Sequence, residues 1–283
     1  MYASVTMAGT TIVQGVSVPP FLYGTAWKEE RTGPLVAAAL AAGFRGIDTA
    51  NQRKHYHEAA VGDALEDAGI ERAALFLQTK YTYAEGQDAR LPFDPRAPYA
   101  EQVRQSFASS LEHLRTDRLD SLLLHGPRTG RGLAPSDREV WRAMEELQRE
   151  GKVGLIGASN MNPSQLGALC DFAEVPPAFL QNRCYAWSGW DRESREVCRE
   201  RGVVYQGFSL LTANRAELAS RPVKTIASRH GKKPSQVIFR FALQVGMICL
   251  TGTTDPAHMS EDLAIFDFEL SEEEVAVIEG MSG

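Results

Sequence analysis

"YGTAWKEE", residues 23–30, closes the first strongly apolar run of the chain, "FLYGTA" (21–26), and its glycine content separates two α/β architectures. A doubly wound open sheet binding a dinucleotide carries a G-x-G-x-x-G turn after its first strand. A closed (β/α)₈ barrel has no such requirement. Residues 23–30 hold one glycine, Gly24. The barrel is therefore the expected fold.

Seven further short runs, rich in β-branched residues, follow that first strand: "GIDTA" (46–50), "ALFLQTK" (74–80), "SLLLHG" (121–126), "VGLIGAS" (153–159), "PAFLQNR" (177–183), "VVYQGFS" (203–209) and "MICLTG" (247–252). Each is almost continuously apolar, as strands buried on both faces are. Amphipathic segments lie between them. "TGPLVAAALAAGF" and "EAAVGDALEDAGI" end at Gly43 and Gly69, glycine being the usual residue just past a helix. "YAEQVRQSFASSLEHLR" puts Val103, Phe107 and Leu111 on one face, and Ser136-x-x-Glu139 reads as a capping box opening the next helix. Eight βα units over 283 residues predict a single α/β (β/α)₈ (TIM) barrel domain, 1–283. Two short β-prone runs within "MAGTTIVQGVSVPP" (7–20) predict an N-terminal hairpin that closes the barrel bottom. The long segment "YTYAEGQDARLPFDPRAPY" (81–99) is expected at the binding face, where long βα loops usually lie.

The bulk properties exclude several classes. A formal charge of −6 gives no basic footprint for nucleic acid. No apolar run approaches the ~20 residues of a membrane span, and the opening residues lack the basic and apolar regions of a leader peptide. The four cysteines, 170, 184, 198 and 249, form no C-x-x-C pair. Reduced thiols in a cytoplasmic protein are the simplest expectation.

Barrel chemistry sits at the C-terminal ends of the strands. Reading those ends in order gives Asp48, Lys80 and His125, then Ser159–Asn160 and Gln181–Asn182. The loop after the second barrel strand, "DTANQRKHYHEAAVG" (48–62), adds Tyr56 between two histidines. His55-x-His57 could be read as a metal pair. It lies well past its strand end, however, and Ser159 and Asn182 are poor ligands to complete a zinc site, so no metal is expected.

The stretches "GFRGIDTA", "FLQTK", "LLLHGP", "GKVGLIGASN", "FLQNR" and "IFDFELSEEE" resemble the aldo-keto reductase superfamily, from about residue 20 to 280. The resemblance implies a tetrad of Asp48, Tyr56, Lys80 and His125 and the reduction of an aldehyde or ketone, or the reverse oxidation. Tyr56 would supply the proton. Its ordinary pKa near 10 is high for such work, and Lys80, held by Asp48, would lower it. His125 would bind the substrate oxygen and share the developing charge. One departure stands out. The commoner family pattern places the tyrosine five residues after the aspartate, and here it stands eight after.

The same resemblance places a nicotinamide cofactor, NADP(H) or alternatively NAD(H), along the strand ends. Asp48 borders it, and Ser159, Asn160 and Gln181 would hold its carboxamide, although Asn160 also suits a helix cap. Phe208 would stack on the ring, with Ser209 and Leu211 near the pyrophosphate and Gly24 and Thr25 allowing close backbone approach. In "LTGTTDPAHMSEDL" (250–263) the family's phosphate-gripping lysine and arginine are replaced by Gly252 and His258, and a histidine carries no fixed charge. Thr253, Thr254 and a helix N-terminus near Asp255 remain as an anion cradle, with Glu261 and Asp262 in the same cofactor segment and Asp255 and Glu261 opposing a dianion. Weak cofactor selectivity, with NADPH favoured at acidic pH, is the expectation. Trp27, Tyr81, Trp187 and Trp190 are candidate substrate-pocket walls. The sequence ending soon after "SEEEVAVIEG" suggests a more open site than in relatives with a further loop. The partners expected are a small carbonyl or alcohol substrate, with no nucleic acid and no membrane. A cofactor-binding regulatory subunit, or a biosynthetic ketoreductase of narrow range, would show the same motifs, since fold does not fix function.

Overall fold

A computed structural model describes residues 10–281; the leader-peptide reading falls mostly on residues outside that range. The hairpin is present as β1 (Thr11–Val13) and β2 (Val16–Val18). The eight expected strands follow: β3 (Phe21–Gly24), β4 (Gly46–Asp48), β5 (Phe76–Tyr81), β6 (Leu119–Leu124), β7 (Val153–Ser159), β8 (Phe179–Arg183), β9 (Val204–Phe208) and β10 (Ile248–Thr251). They form a closed parallel barrel in chain order, β10 pairing back onto β3 with Leu250 opposite Leu22.

Alternation along each strand decides what fills the barrel. Phe76, Leu123, Leu155, Phe179, Ile248 and Leu250 form an apolar cluster with Val13 and Val18 of the hairpin. Val18 is fully buried, so the hairpin closes the barrel floor. Two residues up from Phe76 and Phe179, the same faces carry Gln78 and Gln181. The interior thus changes from apolar to polar on the way to the strand C-termini.

The helices are α1 (Thr32–Ala42), α2 (Glu58–Asp67), α3 (Tyr99–His113), α4 (Pro135–Arg149), α5 (Pro163–Phe172), α6 (Arg192–Arg201), α7 (Arg215–Ala219), α8 (Arg221–His230), α9 (Pro234–Gln244), α10 (Pro256–Leu263) and α11 (Glu272–Glu279). Helices α7 and α8 were not expected from the sequence. The capping box at Ser136 is corrected. The cap lies two residues earlier, at Ala134, the α4 helix starts at Pro135, and the Asp137 carboxylate accepts from the Ala134 N–H at 2.8 Å. Proline at the first helical position needs no donor partner, which moves the boundary. Asn162, not Asn160, caps α5. Asn160 has a different structural role: its amide donates to the His125 carbonyl at 2.7 Å.

Candidate functional site

The strand C-termini surround a cleft of about 760 Å³. Asp48 ends β4, Lys80 is the penultimate residue of β5, and His125 follows β6. Lys80 is 1% exposed. Its ammonium donates to both Asp48 carboxylate oxygens at 2.7 Å and to the Thr49 carbonyl at 2.8 Å. Tyr56 reaches the cluster through a turn in which the Gln52 carbonyl accepts from the N–H groups of both His55 and Tyr56. That turn takes up the longer spacing seen in the sequence. The Tyr56 ring lies edge-on to His125, centroids 6.0 Å apart, with Lys80 Nζ 5.5 Å from its centre. The four residues of the expected tetrad are therefore adjacent.

The electrostatics differ from expectation at Tyr56. Burial, and then the Asp48 carboxylate, push its phenol well above the ordinary tyrosine value. The Lys80 ammonium does not reverse this, its charge being paired with Asp48. Burial also pulls Lys80 below the usual lysine value, against the opposing pull of Asp48. His125 is pushed down to about 3, by burial first and then by Lys80 and His55. It is a neutral imidazole at physiological pH. Its Nδ1 lies 2.6 Å from the Thr82 hydroxyl. If that hydroxyl donates, Nε2 keeps the proton and offers it to the cleft.

An acid-stability signature follows. The folded value of His125 lies below the unfolded one of about 6.5, so the unfolded chain takes up the proton first as pH falls. The associated stability is fully present above pH ~6.5 and is lost progressively toward pH ~3. Thermal melts across that range should fall more steeply for the wild type than for His125→Asn. Parallel curves would refute the neutral, half-buried histidine.

Most of the expected cofactor residues line the cleft: Gly24, Asp48, Ser159, Asn160, Gln181, Phe208, Ser209, Leu211, Gly252, Thr253, His258 and Asp262. Asn160 and Ser209 both adopt left-handed backbone, at φ 55° and 58°, strain that tends to collect at functional sites. Thr25 does not line the cleft. It is fully buried and donates to the Asp48 carbonyl at 3.1 Å, so it braces the site from behind. Thr254 is exposed on the turn after β10 and is not part of the cleft wall. Glu261 turns away to pair with Lys233 at 2.5 Å. The anion cradle at α10 is also weaker than expected. Pro256 has no N–H, and the Asp255 carboxylate already accepts from Ala257 N–H. Burial raises Asp262 to about 6, opposed by a hydrogen bond from Thr251.

Of the four aromatic candidates, Trp27 alone lines the cleft. It borders the cleft, 68% exposed, and stacks on His55 at 3.7 Å between centroids. Tyr81 is 1% exposed and packs against Tyr83 and Phe93, with its hydroxyl on Gln102. It follows Lys80 by one residue, so strand alternation turns it outward. Trp190 is fully buried against Phe241, its indole N–H donating to the Ile278 carbonyl. Trp187 is exposed beside Tyr185, away from the cleft wall. Among the described residues, no three His, Cys, Asp or Glu side chains converge to hold a metal ion.

Two cations in the cleft were not anticipated. Lys28, directly after Trp27, reaches across to the Gly252 carbonyl. A Cβ at position 252 would lie 3.3 Å from its ammonium. The side chain missing at Gly252 is thus the space that Lys28 occupies. Arg183, two residues after Gln181 and so on the same strand face, lies over the Phe208 ring at 5.7 Å. Strand alternation could have found Arg183. Nothing local in the sequence marks Lys28.

Comparison with known proteins agrees with this geometry. The model of the Aldo/keto reductase family matches residues 22–282. An aldo-keto reductase of Mycobacterium sp. (strain JLS) is 32% identical over 271 residues, covering 94% of this chain and 90% of the relative. The glyoxal reductase of Bacillus subtilis (strain 168) is 32% identical over 272 residues, covering 95% and 90%. The crystal structure of an aldo/keto reductase from Brucella melitensis superposes with a TM-score of 0.83 at 29% identity, covering 95% of this chain and 98% of that one.

Proposed function

Since the chain belongs to the aldo/keto reductase family of oxidoreductases, we propose that it reduces small aldehydes or ketones to alcohols with NADPH or NADH. The observation that carries this reading is the cluster of Tyr56 and a neutral His125 over the buried Asp48–Lys80 pair. The cofactor supplies hydride to the carbonyl carbon. The protein supplies the rest. His125 Nε2 donates a hydrogen bond to the carbonyl oxygen, and the Tyr56 phenol gives that oxygen its proton. A phenol above its ordinary pKa is protonated at neutral pH, as a proton donor must be at rest.

The donor set fits a nicotinamide dinucleotide. Gln181 faces the cleft, Phe208 offers a flat ring, and Lys28 gives one end a cation. We place the cofactor's distal phosphate beside Lys28, which stands in for the side chain absent at Gly252. A charge-assisted hydrogen bond contributes about 1.5–3 kcal/mol, or roughly tenfold or more in affinity. Lys28→Met should therefore weaken NADPH binding about tenfold and NADH binding much less, read as Kd by titration of cofactor fluorescence. Equal losses would move Lys28 to the pyrophosphate that both cofactors share. Steady-state cofactor oxidation against a panel of aldehydes, ketones and small dicarbonyls tests the activity. The dicarbonyls are included because a relative is named glyoxal reductase. No turnover on the panel with normal cofactor binding would refute the proposed reaction.

A further inference from the structure

Beneath the cleft, two glutamines from separate strands meet on one carboxylate oxygen and share a third glutamine as acceptor. Asp48 Oδ1 accepts from Gln78 Nε2 at 2.7 Å and from Gln181 Nε2 at 3.0 Å, in addition to Lys80. The same two amide nitrogens also donate to Gln206 Oε1, at 2.8 and 2.9 Å. Gln206 Nε2 donates back to Gln78 Oε1 at 3.1 Å. Gln78 and Gln206 are fully buried and Gln181 is 3% exposed.

The chemistry of the groups fixes every direction in this set. A carboxylate paired with an ammonium only accepts, so the amide atoms facing Asp48 must be nitrogens. Each amide nitrogen has two protons. Both protons of Gln181 are committed inside the barrel, one to Asp48 and one to Gln206. Gln206 can take the second only because its own nitrogen is held on Gln78 Oε1. The Gln181 carbonyl oxygen is then the one atom of that amide left to face the cleft.

We propose that Gln78 and Gln206 are positioning residues that lock the Gln181 amide with its carbonyl outward, so that the site selects a ring substituent able to donate an N–H. The nicotinamide carboxamide is such a group. This rests on the reading of the cleft as a nicotinamide site. A substituent with only an acceptor and a methyl would leave the Gln181 carbonyl facing an apolar group, and an unlocked Gln181 could turn its nitrogen to meet the acceptor instead. Without the lock, the amide is free to serve either ligand.

The test compares Kd for NADP⁺ and for its 3-acetylpyridine analogue, in which a methyl replaces the carboxamide NH₂, by calorimetric titration of the full chain. The wild type should prefer NADP⁺ by about tenfold, the scale of one hydrogen bond lost with a buried partner left unmatched. Gln206→Met removes the acceptor that holds the second proton of Gln181 at nearly constant volume, and the preference should fall toward one. Gln78→Met, which frees Gln206 to rotate, should lower it less and in the same direction. A loss of affinity for both ligands by one factor, with the ratio kept, would show a merely structural role and overturn the proposal. A wild-type ratio near one would also overturn it, whether or not either variant gives a cooperative melt. Failure of the wild type to bind either NADP⁺ or NAD⁺ would instead remove the nicotinamide reading beneath it.

Discussion

Tyr56→Phe should lower kcat by ~10²-fold or more, within the general range for a lost proton donor, while leaving cofactor affinity unchanged. The substitution removes one oxygen from a ring that packs edge-on against His125, so ring packing is kept. Only the proton disappears from the place where the substrate oxygen gains charge. Stopped-flow reduction of an accepted aldehyde, with cofactor Kd measured alongside, separates the two. Turnover within a few-fold of wild type would discard Tyr56 as the donor. The buried tyrosines could not replace it. Tyr81 donates to Gln102 and Tyr83 to Asp137.

Lys80→Met should abolish reduction and also destabilise the fold. From the sequence alone, a strand-end lysine would be expected to contribute little to packing. In the barrel it is 1% exposed with all three protons placed. Removing it leaves the Asp48 carboxylate buried without its counter-ion, at a cost of ~3–5 kcal/mol. The glutamines on Asp48 Oδ1 offset part of that cost. The double variant Asp48→Asn/Lys80→Met removes the orphaned charge and should regain much of the stability without regaining turnover. Denaturant melts and single-turnover rates on the three proteins check both halves. A double variant no more stable than the single would show that the lost stability does not come from the ion pair. Normal turnover by Lys80→Met would discard its catalytic role.

What could be read in advance was what repeats along the chain. The barrel strands stand out because burial on both faces makes them continuously apolar. Val153–Ser159 falls on its expected bounds, and the others differ by three residues or fewer at either end. Asp48, Lys80 and His125 were legible because ionisable groups at strand ends break that apolar pattern. What escaped depends on contacts between distant segments. Trp190 is as aromatic as Trp27, and its contacts with the distant Phe241 and Ile278 place it in the core. Gln78 and Gln206 lie 128 residues apart. Neither looks functional until the barrel brings them together around Asp48. The outward position of Tyr81, expected in the sequence as a pocket wall, is legible from its one-residue offset from Lys80.

The seam between β10 and β3 has a consequence for how the protein comes to be active. Lys28 and Gly252 meet across 224 residues of chain, and the Tyr23 hydroxyl bonds the Thr253 carbonyl across 230. Closing loops of that length adds little to the thermodynamic cost, but contacts so distant in sequence form slowly. A nascent chain could pair β4 with β5 and join Asp48 to Lys80 while the C-terminal third was still being made. It would then hold the buried ion pair with one side of the cleft still missing. The wall that joins Lys28 to Gly252 can therefore form only once the last barrel strand has been made.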